Sequence, residues 1–127
     1  MQLQKIHHVA IITSDYDKTM DFYVHKLGFE IIRENKREER HDIKLDLKLG
    51  DSELEIFIEE NPPKRVSYPQ EACGLRHLAF HVEDVEATIK ELEGKGIACE
   101  PLRYDTYTHK KMTFFKDPDG LPLEIHE

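Results

Sequence analysis

The chain has 127 residues and a formal net charge of −8, from 26 acidic and 18 basic residues. This acidic balance argues against a nucleic-acid or anionic-membrane partner, because either would require a basic surface. No apolar run approaches the roughly 20 residues of a membrane-spanning helix, and the N-terminus lacks the apolar stretch of a signal peptide. Cys73 and Cys99 have no CxxC spacing, which favours reduced structural thiols. We therefore expect a cytoplasmic protein.

The first half of the chain predicts one strand, one helix and then three strands. Residues 5–13 are apolar and rich in β-branched side chains, which is typical of a strand. Ser14 or Asp15 can cap the following helix, and Gly28 can end it. Three further strands are predicted near 29–37, 42–49 and 53–60. This order of elements is a βαβββ unit.

The second half repeats that order. Residues 75–83 predict a strand, and Asp84 can cap a helix that ends at Gly94 or Gly96. The last three strands are predicted near 97–104, 110–116 and 121–126. The proline-rich segment 61–73 breaks regular structure and predicts a linker. We therefore predict a single α+β domain over residues 1–127, built from half-modules 1–60 and 74–127 and joined by linker 61–73.

Two pairs of polar residues share one offset in this repeat. His8 and His77 are 69 positions apart, and so are Glu55 and Glu124. Strand alternation directs Leu54, Ile56 and Ile58 toward the helix and leaves Glu55 on the opposite, open face. The same alternation and the repeat both favour His8 over its neighbour His7 for the open face. The four polar residues are thus predicted on the open faces of the two sheets.

Two imidazoles and two carboxylates form a ligand set suited to one divalent ion such as Zn²⁺, Ni²⁺, Fe²⁺, Co²⁺ or Mn²⁺. The absence of thiolate ligands argues against a structural zinc site. Four ligands on a six-coordinate ion leave two positions for adjacent substrate oxygens, which would stabilise an enediolate. One of the carboxylates could then act as the base. His8, Glu55, His77 and Glu124 are therefore candidate metal ligands.

Other polar residues have a functional and a plain interpretation. His81 and His126 share the open face and could support the ligands, although ordinary surface histidines explain them as well. A cationic and aromatic cluster is formed by Arg103, Tyr107, Lys110 and Lys111. It could hold an anionic substrate, or it could be a solvated strand edge.

The chain resembles the vicinal-oxygen-chelate (glyoxalase/bleomycin-resistance/dioxygenase) superfamily, and within it the short bacterial glyoxalase I-like proteins. The resemblance rests on four segments: His8-Val-Ala-Ile, Asp21-Phe-Tyr-Val-His-Lys-Leu-Gly-Phe29, Gly74-Leu-Arg-His-Leu-Ala-Phe80 and Asp117-Pro-Asp-Gly-Leu-Pro-Leu-Glu124. It implies two βαβββ modules in a cup-shaped half-barrel around one divalent ion. It also implies the ligands already inferred, with Glu124 as the preferred base and Glu55 as the alternative.

The resemblance further implies a metal-dependent lyase or isomerase for a hemithioacetal-type α-hydroxycarbonyl substrate, as in methylglyoxal detoxification. A homodimer is expected, since symmetric dimers are common for such folds. The family grips glutathione with an Arg four residues after the first His ligand and an Asn four residues after the first Glu ligand. Ile12 and Glu59 stand at those positions here, so the sequence does not favour glutathione.

Two other functions within the superfamily stay open at this point. One is a small-molecule or antibiotic-sequestering module, and the other is a non-haem iron dioxygenase. The dioxygenases use two histidines and one carboxylate, so Glu55 counts against that alternative. The sequence also leaves open which metal is native, and whether the modules pair within one chain or across a dimer.

Overall fold

The computed structural model, which describes residues 1–127, separates into two units, Met1–Pro63 and Lys64–Glu127. The point of division lies inside the segment predicted as a linker, 61–73. Neither unit contains a helix that is long and apolar enough to cross a membrane.

The first unit is a four-stranded sheet with one helical segment. Its elements are β1 (His8–Thr13), helix α1 (Tyr16–Thr19) continuing into a π-helical segment (Met20–Lys26), β2 (Glu30–Arg37), a 3₁₀ turn (Glu38–Arg40), β3 (Asp42–Leu49) and β4 (Ser52–Glu59). The strand order is β1-β4-β3-β2. Strand β1 runs parallel to β4, and the other neighbours are antiparallel.

The second unit repeats this arrangement. Its elements are β5 (Leu78–His81), helix α2 (Val85–Gly94), β6 (Arg103–Tyr104), β7 (Lys111–Lys116) and β8 (Pro122–His126). The strand order is β5-β8-β7-β6, again with one parallel pair, β5 with β8. The predicted α+β class and the two tandem βαβββ modules are confirmed.

Each sheet has a helix-facing side and an open side. In β4, Leu54, Ile56 and Ile58 are buried, whereas Glu55 and its alternate neighbours are only half-buried. Burying a leucine or isoleucine side chain contributes roughly 1.5–3 kcal/mol, so this alternation fixes which face turns toward the helix. The Thr19 hydroxyl donates to Thr13 Oγ1 at 2.8 Å, joining the helix to the buried side of β1.

Both predicted helix starts are observed. Asp15, rather than Ser14, is the first cap, because its Oδ1 accepts a hydrogen bond from the Lys18 amide at 2.9 Å. Asp84 Oδ1 accepts from the Ala87 amide at the same distance in the second unit. These bonds satisfy amide groups that have no partner inside the helix.

The first helix differs from the expected regular α-helix. The Leu27 amide donates to the Phe22 carbonyl at 2.9 Å, a bond that spans five residues and is characteristic of π-helix. Within this segment Phe22 and Tyr23 are buried, with 6% and 0% of their surface exposed. The wider turn ends with Gly28, whose φ is +79°.

The predicted strand 97–104 forms only in part. Cys99 makes an isolated bridge to Phe115, and regular pairing resumes only at β6. Pro101 has no amide proton to donate, and its carbonyl accepts a hydrogen bond from the Thr113 hydroxyl at 3.1 Å. The strand predicted over 75–83 is also shorter, at Leu78–His81, and Arg65 Nη2 donates to the carbonyl of Leu75 before it at 2.6 Å.

Candidate metal centre

In the first unit, strand register brings His8 and Glu55 together. Within the parallel pair β1–β4, His8 lies opposite Glu53 and Ala10 lies opposite Glu55. His8 and Glu55 are therefore diagonal neighbours on the open face, within reach of long side chains. His8 Nε2 is 3.5 Å from Glu55 Oε2.

The second unit forms the matching pair. His77 immediately precedes β5, in which Ala79 lies opposite Glu124 of β8. His77 Nε2 is 3.1 Å from Glu124 Oε2. In both units, therefore, Nε2 of the histidine lies near Oε2 of the glutamate at the equivalent position of the repeat.

The spacing within each pair fits two neighbouring ligands of one ion. Zinc–nitrogen and zinc–oxygen bonds are about 2.0–2.2 Å, so adjacent ligand atoms lie roughly 2.8–3.6 Å apart for octahedral to tetrahedral angles. The observed N···O distances are 3.5 Å and 3.1 Å. The carboxylates are the less exposed partners, with 18% and 9% of their side chains accessible against 41% and 32% for the histidines.

The structure presents the four predicted residues as two pairs. No group of three or more His, Cys, Asp or Glu side chains is arranged to hold an ion. Each unit therefore contains one of the two predicted His–Glu pairs.

His7 contacts the imidazole of His8 on the side away from Glu55. The two Nδ1 atoms are 3.0 Å apart, so one donates to the other. His7 Nδ1 also lies 4.0 Å from Glu53 Oε2. A metal-bound histidine commonly uses its second nitrogen for such a bond, which fixes the tautomer and the ring orientation. His7, considered above only as a rival ligand, is thus placed to orient His8.

A charged network holds Glu55 from the neighbouring strand. Lys44 Nζ lies 2.8 Å from Asp46 Oδ1 and 3.6 Å from Glu55 Oε1. Asp46 lies opposite Glu55 in the sheet, and only 3% of its side chain is exposed. Arg33 Nε is 3.1 Å from Asp46 Oδ2, at ion-pair distance, yet this oxygen accepts no hydrogen bond. The hydrogen bond to Asp46 raises the pKa of Lys44 despite partial burial.

The sequence analysis did not identify this network. The only signal was the alternation Asp42, Lys44, Asp46, Lys48 on a strand whose other residues are apolar. Such a pattern ordinarily indicates a solvated face. The burial of Asp46 shows that this face is not fully solvated.

Glu124 has a different environment from Glu55. Its residue opposite in β7 is Phe114, whose ring meets the His77 ring edge-on at a centroid distance of 5.2 Å. Glu124 forms an ion pair with His77 but with no lysine or arginine. The two carboxylates therefore differ in their neighbours: a lysine lies 3.6 Å from Glu55, and a phenylalanine lies opposite Glu124.

The secondary candidates His81 and His126 lie opposite each other on the open face. His126 Nε2 lies 3.6 Å from Asp105 Oδ2, and its Nδ1 is 2.6 Å from the Glu127 carbonyl. Hydrogen bonds from the amides of Thr108 and Tyr107 lower the pKa of Asp105. The His126 ring is thus held by the loop around Asp105.

The cationic and aromatic cluster predicted near residue 107 is divided between the two faces. Lys111 Nζ pairs with Glu86 of α2 at 2.7 Å, which places it on the helix-facing side. Tyr107 is 91% exposed in the loop between β6 and β7. Arg103 is on the open side, where its guanidinium carbon lies 5.0 Å from the Phe114 ring centroid.

Comparison with known proteins agrees with this architecture. A family model described as "Glyoxalase/Bleomycin resistance protein/Dioxygenase superfamily" matches residues 5–125. The chain belongs to this superfamily. A solved structure of a glyoxalase family protein from Enterococcus faecalis is 64% identical, with a TM-score of 0.95 and full coverage of both chains. The protein YwkD of Bacillus subtilis is 55% identical over 100% of this chain and 99% of its own length.

Superfamily members with named activities are more distant. A probable lactoylglutathione lyase from Vibrio cholerae is 29% identical over 98% of this chain and 91% of its own. Human mitochondrial methylmalonyl-CoA epimerase is 24% identical over 98% of this chain and 74% of its own. Members of the superfamily typically bind a divalent metal. Membership thus covers more than one reaction.

Proposed function

We propose that this protein is a metal-dependent lyase or isomerase of the glyoxalase I type, acting on a hemithioacetal-type α-hydroxycarbonyl substrate. The observation that carries the proposal is the repeated pair, His8 with Glu55 and His77 with Glu124, at N···O distances of 3.5 Å and 3.1 Å. The similarity to a probable lactoylglutathione lyase supports the same class of reaction.

In this proposal the two pairs together hold one divalent ion, with Zn²⁺, Ni²⁺, Fe²⁺, Co²⁺ and Mn²⁺ all compatible with nitrogen and oxygen ligands. When bound, the ion supplies Lewis acidity toward the substrate carbonyl. The pairs can be joined within one chain or between the chains of a homodimer. Sedimentation analysis with and without metal tests whether the protein is a dimer, which the second arrangement requires.

Glu124 is the proposed base. Lys44 Nζ lies 3.6 Å from one oxygen of Glu55, which favours a fixed ligand there. Glu124 has no such cation, so its carboxylate can turn from His77 and take a proton from the substrate carbon that bears the hydroxyl group. The same carboxylate then returns the proton to the adjacent carbon. Glu55 is the alternative base.

The face beside the first pair does not favour glutathione. Ile12 is 57% exposed and lies opposite Phe57, and Glu59 follows two residues later on the same face. An apolar residue and an acid offer no partner for the carboxylates of that peptide. The thiol part of the substrate is therefore expected to be something other than glutathione.

Metal analysis followed by an activity screen tests the proposal. Protein loaded with Ni²⁺ or Zn²⁺ is expected to convert a hemithioacetal of methylglyoxal with at least one thiol from a panel. Glu124→Gln should abolish turnover while metal content is retained. Glu93→Gln, an exposed change on α2, should leave turnover unchanged.

Absence of turnover with every thiol and every metal would refute the enzymatic proposal. Metal content far below one ion per site, together with tight binding of a drug-like ligand, would instead favour a sequestering module. Oxygen consumption by the iron-loaded protein would favour a dioxygenase.

A further inference from the structure

On the open face of the first unit, two cationic side chains are already paired with buried carboxylates. Arg37 donates to both oxygens of Asp42, at 2.7 Å and 2.6 Å, and Asp42 has only 6% of its side chain exposed. Lys44 donates to one oxygen of the buried Asp46 at 2.8 Å. Removing either cation from its buried acid is costly, so neither is available to a substrate anion.

Arg103 is in a different situation. It lies opposite Met112 in the β6–β7 pair, and this places it on the open face that also carries Glu124. Its acidic partner is Glu100, at 3.7 Å, with about half of each side chain exposed. Exposed pairs of this kind contribute roughly 0–1 kcal/mol, so Arg103 exchanges partners at little cost.

The Phe114 ring sets the direction of the Arg103 guanidinium. The guanidinium carbon lies 5.0 Å from the ring centroid, a stacking or cation–π distance. A guanidinium supported on its face keeps the N–H groups of its edge free for a carboxylate. Phe114 lies directly opposite Glu124, and such a cross-strand pair has Cα atoms about 5 Å apart. Arg103 therefore lies on the same face as Glu124, with Phe114 on the strand between them.

We propose that Arg103 binds a carboxylate group of the substrate, a few bonds from the carbon that Glu124 deprotonates. The inference rests on the proposed function of Glu124. A single carboxylate matches one guanidinium better than a phosphate dianion does, because Glu100 lies 3.7 Å away and the chain carries a net charge of −8. Arg103 is thus a determinant of substrate specificity.

Two lysines serve as matched controls. Lys111 belongs to the strand that pairs with β6, but it lies on the helix-facing side and binds Glu86 at 2.7 Å. Lys116 is on the open face at the other end of β7, opposite Pro122. Lys116 is two residues from Phe114, and its ammonium group cannot stack and bind a carboxylate in two places at once.

The test compares two hydroxamates, which chelate a metal through adjacent oxygens. One is the monohydroxamate of succinic acid, which has a free carboxylate, and the other is neutral butyrohydroxamate. Calorimetric titration of the Zn²⁺-loaded protein should show about tenfold tighter binding of the carboxylate-bearing probe. Arg103→Met should remove this preference and leave butyrohydroxamate binding unchanged. Lys111→Met and Lys116→Met should preserve it, and Arg103→Lys should retain part of it.

A second measurement does not depend on affinity. The Nε–H signal of Arg103 in a ¹H–¹⁵N spectrum, assigned by its loss in Arg103→Lys, should shift with the carboxylate probe and not with the neutral one. Equal binding of both probes to the wild type, or a preference that survives Arg103→Met, overturns the assignment of Arg103 and leaves the metal site intact. Failure of both probes to bind overturns the metal site and the assignment together.

Discussion

Replacing Lys44 with methionine should destabilise the first unit through a buried charge. Asp46, with 3% of its side chain exposed, would lose the 2.8 Å hydrogen bond to Oδ1. Removing one partner of a fully buried pair costs about 3–5 kcal/mol. Because Arg33 remains 3.1 Å from Oδ2 and Lys44 itself is 26% exposed, we expect a loss of about 2–3 kcal/mol.

Urea unfolding measures this loss, and a double-mutant cycle assigns it to the ion pair. Lys44→Met combined with Asp46→Leu removes both charges, so the double variant should be more stable than the sum of the two single losses predicts. Lys48→Met, an exposed change on the same strand, should alter stability by no more than about 0.5 kcal/mol. An unchanged unfolding free energy for Lys44→Met, or strict additivity in the cycle, would refute the reasoning.

Three further predictions concern other groups. His7→Ala should weaken zinc binding by up to about tenfold in a chelator competition, less than His8→Ala does, and equal losses would contradict an orienting role. Burial raises the pKa of the Cys99 thiol, so iodoacetamide at pH 8 should label exposed Cys73 several-fold faster; mass spectrometry would reveal a reversed order. Hydrogen bonds from the Arg37 guanidinium lower the pKa of Asp42. The contribution of Asp42 to protein stability is therefore complete above the unfolded pKa of about 3.9, and it disappears as the pH falls through the lower folded pKa. Asp42→Asn should therefore destabilise the protein at pH 6 and hardly at pH 2, and a pH-independent effect would be inconsistent with this linkage.

The sequence alone determined the order of the elements and the repeat. Alternation along β4 placed Glu55 on the other face of the strand from the buried leucine and isoleucines, because side chains on a strand alternate between its faces. The caps Asp15 and Asp84 depend on neighbouring residues, and the 69-residue offset paired each histidine with its counterpart. These features were predictable because each depends on local geometry or on duplication.

The tertiary structure decided what depends on contacts between distant segments. Register in the parallel strand pair brings His8 diagonally onto Glu55, and the pairing of β3 with β4 buries Asp46 beneath it. The pairing of β6 with β7 sets Arg103 over Phe114 and leaves Lys111 on the opposite face. Sequence separation carries no information on which strands become neighbours or which charges lose their water. The sequence thus supplied the candidate ligands, and the fold distinguished their surroundings.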